Sequence, residues 1–293
     1  MPIPSSRLEV SHRIGVALGG GSARGYAHIG ALASLERNGF APSLIAGTSF
    51  GAVIGAMYAS GRSTCEMKLE ANGVRRRDVV PHVLDFGLHR AALFAGHKLE
   101  SYFERLVEGR HFLDLDRQLV VVTTDVDSGE RVVLREGSLA RALRASTAIP
   151  GIFPPVEIDG RRLIDGGIGS PVPVETLSGF DVDLAIGIGA GITSSGSKAI
   201  RHTQRFLTSE IGQRLHRALV NTRQTSPFAR LGRALAYTAT SWVEPKNPEE
   251  TLQVQTDPPI SWLNFHKAEA AIRAGEEALE RFMPQIHKAL VHV

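Results

Sequence analysis

Short, nearly unbroken apolar runs alternate along the chain with stretches whose apolar residues recur at helical spacing. "RIGVALGGG" (residues 13–21) predicts a buried strand running into a tight glycine turn. In the following "SARGYAHIGALASLERNGF", Ala27, Gly30, Ala31 and Leu35 share a helical face, and Asn38-Gly39 supplies a stop. "PSLIAGTS" and "FGAVIGAMYASG" repeat the order of strand then helix. Such alternation predicts parallel strands joined by crossover helices. "RQLVVVTTDV" (117–126) is almost continuously aliphatic and predicts a central strand, while "ERVVLREG" alternates like a hairpin partner or an edge. "RRLIDGG" and "VDLAIGIGAG" add two further strands that end in turns.

Beyond about residue 194 the texture becomes helical and basic, through "SKAIRHTQRFLTSEIGQRLHRALVNTRQ" and "SPFARLGRALAYTATSW". "TLQVQTD" (251–257) then predicts a late strand, and "FHKAEAAIRAGEEALERFMPQIHKAL" a closing amphipathic helix. No internal repeat or long linker interrupts this order. The expectation is a single α/β domain over residues 1–293, carrying a helical excursion at about 195–245. Arginines there, interleaved with Phe206, Leu207, Leu215 and Leu219, suit a lid, a membrane-facing surface, a subunit interface or an ordinary packed helix.

Composition narrows the class without naming a function. A chain of 293 residues can bury a large core, and 43% hydrophobic with 22% charged residues excludes disorder and fibrous classes. The 30 glycines gather at a few sites, which signals local backbone demands. A net charge of +3 is too small to argue for nucleic acid, and the triplet Arg75–Arg77 reads as a solvated face. Cys65 is the single cysteine, so no intrachain disulfide forms, in keeping with a reducing compartment. The first residues lack the apolar core of a secretory signal, and no apolar run approaches the roughly 18–20 residues of a spanning helix. The expected location is cytoplasmic, with peripheral contact at the inner membrane face left open. Oligomeric state leaves no mark in the sequence.

Three short features carry chemistry. Gly47-Thr48-Ser49-Phe50-Gly51 fits G-x-S-x-G at a strand-to-helix junction. A nucleophile on so sharp a turn needs glycine two residues to either side, and the helix that follows favours negative charge near the serine. The competing reading makes Ser49 a helix N-cap, with Gly51 and Gly55 as packing residues. "LGGGSARG" (18–25) is a glycine turn able to present amides to an anion, either a pyrophosphate or the oxyanion of acyl transfer. The dinucleotide pattern fails, because Arg24 stands where its third glycine belongs, no acidic residue closes the next strand, and no Walker lysine is present. Arg24 either adds donors or locks the loop. "LIDGG" (163–167) places Asp165 at a strand end before Gly166 and Gly167. Alone it is a turn dipeptide; beside the other two features it is a candidate general base for the serine.

On "GGGSARGYAHIGAL", "AGTSFGAVIGAMYASG", "TTDVDSGERVVLREGSLARALRASTAIPGIFPPVEIDGRRLIDGGIGSPVPV" and "FHKAEAAIRAGEEAL", the chain resembles the patatin-like phospholipase family in its bacterial single-domain form. The likeness runs from about residue 13 onward and is weakest through 195–245. It implies a three-layer α/β/α sandwich with a mainly parallel central sheet and the hydrolysis of acyl esters of lipids by a Ser–Asp dyad. Carried over by position, Ser49 is the nucleophile and Asp165 the base. Gly19, Gly20 and Gly21 with Arg24 and Gly25 form the oxyanion loop. Gly47 and Gly51 flank the nucleophile, and Gly166 and Gly167 follow the base. Many relatives carry alanine where this chain has Gly167. No metal, nucleotide or other cofactor is implied.

The remaining candidates read as structural. His266 and His287 fall late enough for a Ser-Asp-His order but lie in or beside an amphipathic helix, and His28 is expected to pack or hydrogen-bond near the first helix. Asp125 and Asp127 in "TTDVDSGE" read as a turn. "STAIPGIFPPV" (146–156) is a proline-stiffened loop, suited either to lining an acyl pocket or to simple connection. Against the hydrolase stands a non-catalytic lipid- or anion-binding regulatory module that keeps the fold.

Overall fold

A computed structural model describes residues 12–75, 77, 85–89, 92–191 and 251–291. Its elements run β1 (Ile14–Leu18), α1 (Ala27–Arg37), β2 (Leu44–Thr48), α2 (Phe50–Ala59), α3 (Thr64–Gly73), β3 (Phe86–His89), β4 (Ala92–Phe94), α4 (His97–Leu106), β5 (Gln118–Asp125), β6 (Arg131–Leu134), α5 (Leu139–Ser146), β7 (Val156–Ile158), β8 (Arg161–Asp165), β9 (Leu184–Gly189), β10 (Thr251–Gln255) and α6 (Ala268–Leu290). The helical excursion expected at 195–245 lies outside the described residues, as does Arg76 of the arginine triplet.

The central sheet has the order β10-β9-β1-β2-β5-β8-β7, with β6 also paired to β5. From β10 to β5 neighbouring strands are parallel; β8, β7 and β6 are antiparallel additions. The mixed α/β architecture with a mainly parallel sheet is therefore as expected. β5 is the seam between the two arrangements, which explains why its sequence is apolar on both faces and β6 alternates beside it.

Strand periodicity divides the core. Ile14, Val16 and Leu18 of β1, Ile45 of β2, Leu119 and Val121 of β5 and Ile186 of β9 pack beneath the helices. Ala17, Leu44, Ala46 and Val120 face the other way, against Val174 and Leu177 of a 3₁₀ turn (Val174–Gly179). α1 and α6 meet at backbone distance. A Cβ on Gly30 would stand 1.8 Å from the Ile272 carbonyl oxygen, and one on Gly275 1.8 Å from that of Ala27. Only glycine permits this crossing.

Helices α3, α4 and α5 and the β3–β4 pair escape the sequence reading. α3 buries only Met67 and Ala71, so it has almost no apolar stripe to detect. Its start is instead fixed by a capping box between Ser63 and Glu66.

Candidate active site

Ser49 is the single residue between β2 and α2, and it adopts φ 53°, ψ −127°. A non-glycine residue pays for that conformation with roughly 1–3 kcal/mol of strain. The flanking glycines make the turn possible: a Cβ on Gly47 would lie 2.4 Å from Ala52 Cα, and one on Gly51 2.3 Å from the Leu18 carbonyl oxygen. Ser49 makes no side-chain cap to α2. Its hydroxyl donates instead to Asp165 Oδ2 at 2.7 Å. The capping alternative therefore fails, while Gly51 and Gly55 do serve close packing.

Asp165 ends β8, which pairs antiparallel with β5 at Thr123. Directly after it, a Cβ on Gly166 would meet the Val122 carbonyl oxygen at 2.2 Å, so the chain must be glycine where it turns over β5. Asp165 Oδ1 accepts the Gly167 amide at 2.8 Å. Each carboxylate oxygen thus has one donor, and the side chain presents Oδ2 to the serine. Only 6% of Asp165 is exposed. Burial pushes its carboxyl up to about 6, against the lowering effect of the hydrogen bonds from Ser49 and Gly167.

The glycine loop lies over this pair. A Cβ on Gly20 would be 3.4 Å from Ser49 Cβ. The amides of Gly19 and Gly20 are already used, by the Ile188 and Pro171 carbonyls at 2.9 Å each. The Gly19 carbonyl accepts from His28 Nε2 at 2.7 Å. The Gly19–Gly20 peptide is consequently pinned at both ends, by His28 at its oxygen and Pro171 at its N–H. The Gly21 and Ser22 N–H groups, next along the loop, meet no acceptor among the described residues. Arg24 locks the loop, its Nε donating to the Ile260 carbonyl at 3.2 Å. Gly25 makes room for Phe50, whose Cδ1 would stand 2.7 Å from an added Cβ.

His28 behaves as expected of a packed residue. It is wholly buried, and burial pushes its imidazole down to about 4, so it is neutral near pH 7 and donates through Nε2. His287 lies in α6 with Nδ1 against the Met283 carbonyl, away from the site. Asp125 is the last residue of β5 and its Oδ1 accepts the Asp127 amide of the turn that follows, while Asp127 pairs with Arg162 on the surface.

Ser146 is the site residue that sequence reasoning missed. It ends α5 fully buried, accepts the Ser49 amide at 2.8 Å and donates to the Val122 carbonyl at 2.7 Å. Two residues on, the Ala148 carbonyl accepts the Asp165 amide at 3.1 Å. The same segment, through Thr147, Ile149 and Phe153, lines a cavity of about 260 Å³ that also contains Ser49. "STAIPGIFPPV" is therefore a pocket wall, and it holds the amides of Ser49 and Asp165 as well. The rest of the lining is mostly apolar; Glu70, paired with Arg62 at 2.7 Å, is its charged member.

A serine hydroxyl aimed at a buried carboxylate, on a strand–turn–helix elbow at the carboxyl edge of a parallel sheet, has the geometry of a Ser–Asp dyad. Comparison with known proteins gives the family. The patatin-like phospholipase profile matches residues 16–178, and the chain belongs to that family. It is 35% identical over 221 residues to an uncharacterised NTE family protein of Mycobacterium tuberculosis, covering 74% of this chain and 60% of that one. It is 34% identical over 190 residues to human patatin-like phospholipase domain-containing protein 6, covering 64% of this chain and 14% of that one. The chain thus spans less than two thirds of the length of these curated relatives. The crystal structure of VipD from Legionella pneumophila is similar in fold, with a TM-score of 0.51 at 13% identity over 94% of this chain and 67% of that one.

Proposed function

We propose that the protein is a serine acyl hydrolase acting on acyl esters of lipids, of phospholipid or lysophospholipid type. The observation that carries this reading is the 2.7 Å hydrogen bond from Ser49 Oγ to a buried Asp165 at the rim of an apolar cavity. Membership of the patatin-like phospholipase family supports the choice of substrate class.

In this reaction the ester carbonyl sits over Ser49 with its acyl chain in the cavity. Ser49 Oγ attacks the carbonyl carbon as its proton passes to Asp165 Oδ2. The tetrahedral oxyanion takes hydrogen bonds from the Gly21 and Ser22 amides, each such donor being worth about 2.7–4 kcal/mol in the transition state. Collapse breaks the C–O bond, Asp165 returns the proton to the departing alkoxide, and the acyl group stays on Ser49. Asp165 then takes a proton from water, hydroxide adds to the acyl carbon, and the carboxylic acid leaves as Ser49 regains its proton. The His28–Gly19–Gly20–Pro171 clamp holds the loop beside the reacting carbon throughout, so little reorganisation is needed as charge develops.

The test is turnover of a p-nitrophenyl ester by wild type, Ser49→Ala and Asp165→Asn, together with fluorophosphonate labelling. Both variants are expected to lose at least about a thousandfold, and labelling to vanish in Ser49→Ala. Undiminished turnover in either variant refutes the dyad. A wild type that captures no stoichiometric acylating reagent is instead the non-catalytic binding module.

A further inference from the structure

Between β10 and α6 the chain makes a turn stiffened by Pro258 and Pro259, and its backbone is fastened to the glycine-loop region. The Ala23 amide donates to the Trp262 carbonyl at 3.0 Å, and Arg24 Nε to that of Ile260. Ile260 is buried beneath the turn. Phe265 packs edge-on against Phe50 and Tyr26, at 5.6 and 6.2 Å between ring centroids, and all three line the cavity. With the backbone held inward at these points, the side chains of Trp262 and Leu263 are left outward, 42% and 59% exposed. Other large exposed apolar residues, such as Leu69 and Leu113, stand singly in the sequence.

We infer that this turn is a lipid-contacting lip: Trp262 and Leu263 enter the interfacial layer of a phospholipid surface and bring the cavity mouth to the substrate. The inference rests on the lipid-ester reading for its purpose, and on the turn alone for its geometry. Three observations select a lipid surface as the occupant. The two outward side chains lie two and three residues before Phe265, which lines the apolar cavity, so the same turn carries both the exposed pair and a cavity wall. Tryptophan beside leucine suits the interface, the indole at headgroup depth and the aliphatic chain below it. Among the described residues of the turn itself, the exposed Lys267 is offset in number by the exposed Asp257 and Glu269, so apolar burial is the attraction this segment supplies.

The coupling to the site is direct. The carbonyls of Ile260 and Trp262 hold Arg24 and Ala23, which lie just beyond the Gly21 and Ser22 amides. Seating the lip in lipid thereby steadies the loop that faces the ester.

The chain has two tryptophans, so Trp242→Phe leaves Trp262 as the sole tryptophan, excited selectively over the tyrosines. This protein is mixed with phosphatidylcholine vesicles, with and without phosphatidylglycerol and with lipid brominated along the acyl chain. The expected result is a blue shift and quenching by the brominated lipid, insensitive to salt and present equally in a Ser49→Ala background. Trp262→Ala/Leu263→Ser, read by vesicle sedimentation, should bind at least about tenfold more weakly. It should lose hydrolysis of vesicle-borne ester at least about tenfold beyond any change in its turnover of a soluble short-chain ester, which reads the clasp at the Trp262 carbonyl separately. Unchanged Trp262 emission, binding abolished by salt, or full vesicle binding by the double variant overturns the lip. Because the fluorescence readout needs no catalysis, a chain that fails every esterase assay yet shows the quenching loses the hydrolase reading and keeps the lip.

Discussion

The amide of Ser49 donates to the hydroxyl of Ser146, and the hydroxyl of Ser146 donates onward to the Val122 carbonyl. Two serines 97 residues apart thereby fix the strained turn of the candidate nucleophile. The Ser146 proton is directed at Val122, which turns an oxygen lone pair toward Ser49. Val122 is itself the carbonyl over which Gly166 passes, so elbow, sheet and base share one anchor.

Removing that anchor has a defined outcome. Ser146→Ala leaves a buried N–H unsatisfied, at a cost of about 1–3 kcal/mol in urea unfolding. Because the elbow also loses its aim, kcat for a soluble ester should fall by roughly tenfold or more with KM little changed, and Ser146→Thr should restore part of it. A variant that is destabilised yet keeps wild-type kcat shows Ser146 to be structural only.

Activity should follow the ionisation of Asp165. The carboxyl must be charged to take the serine proton, and burial has raised it to about 6. The logarithm of kcat/KM is expected to climb with unit slope below about pH 6 and to level off above it. A profile flat from about pH 4 to pH 8 excludes Asp165 as the base.

Two buried groups tilt stability in opposite senses over the same range. Asp165 is raised from 3.8 to about 6 on folding, so the folded chain holds the extra proton and stability falls as pH rises through that window. His28 is lowered from 6.5 to about 4, so the unfolded chain holds the extra proton and stability rises with pH. Together they nearly cancel in the wild type. Asp165→Asn removes the first slope alone. Its stability relative to wild type should grow between about pH 4 and pH 6 and then stay constant, reaching up to about 3 kcal/mol. Urea unfolding at several pH values reads this, and a difference independent of pH contradicts it.

The cavity offers a control on acyl length. Val53 and Met57 share one face of α2 and, with Ser49 just before the helix, line the cavity. Val53→Phe places bulk one turn below the nucleophile. Long-chain esters should lose about tenfold in kcat/KM while acetate and butyrate esters change by less than about twofold. Equal losses across chain lengths would place the acyl chain elsewhere.

Much of this was legible before any coordinates. β1, β2, β5 and β9 are nearly continuous apolar runs and glycine follows or ends β1, β8 and β9, so these five strands announce themselves, and so do Ser49, one residue past β2, and Asp165, the last of β8. α3 and α5 were not legible, since one has too few apolar residues and the other is only eight residues long. Ser146 had no signal at all, because its partner is an amide brought near by the sheet. The hydrogen bonds of the glycine loop were not legible for a similar reason: three consecutive glycines look alike in sequence, and only the positions of Ile188 and Pro171 show that the Gly19 and Gly20 amides are already used.

The bracing of Arg24 by Ile260 spans 236 residues. A loop encoded near the start of the sequence is therefore braced by a segment encoded near its end, a contact of high sequence separation with a correspondingly large loop-closure cost. During synthesis the elbow at Ser49 has long left the ribosome before Ile260 and Trp262 are translated. A chain halted short of residue 260 would carry every motif of the candidate site and still lack the clasp on its glycine loop.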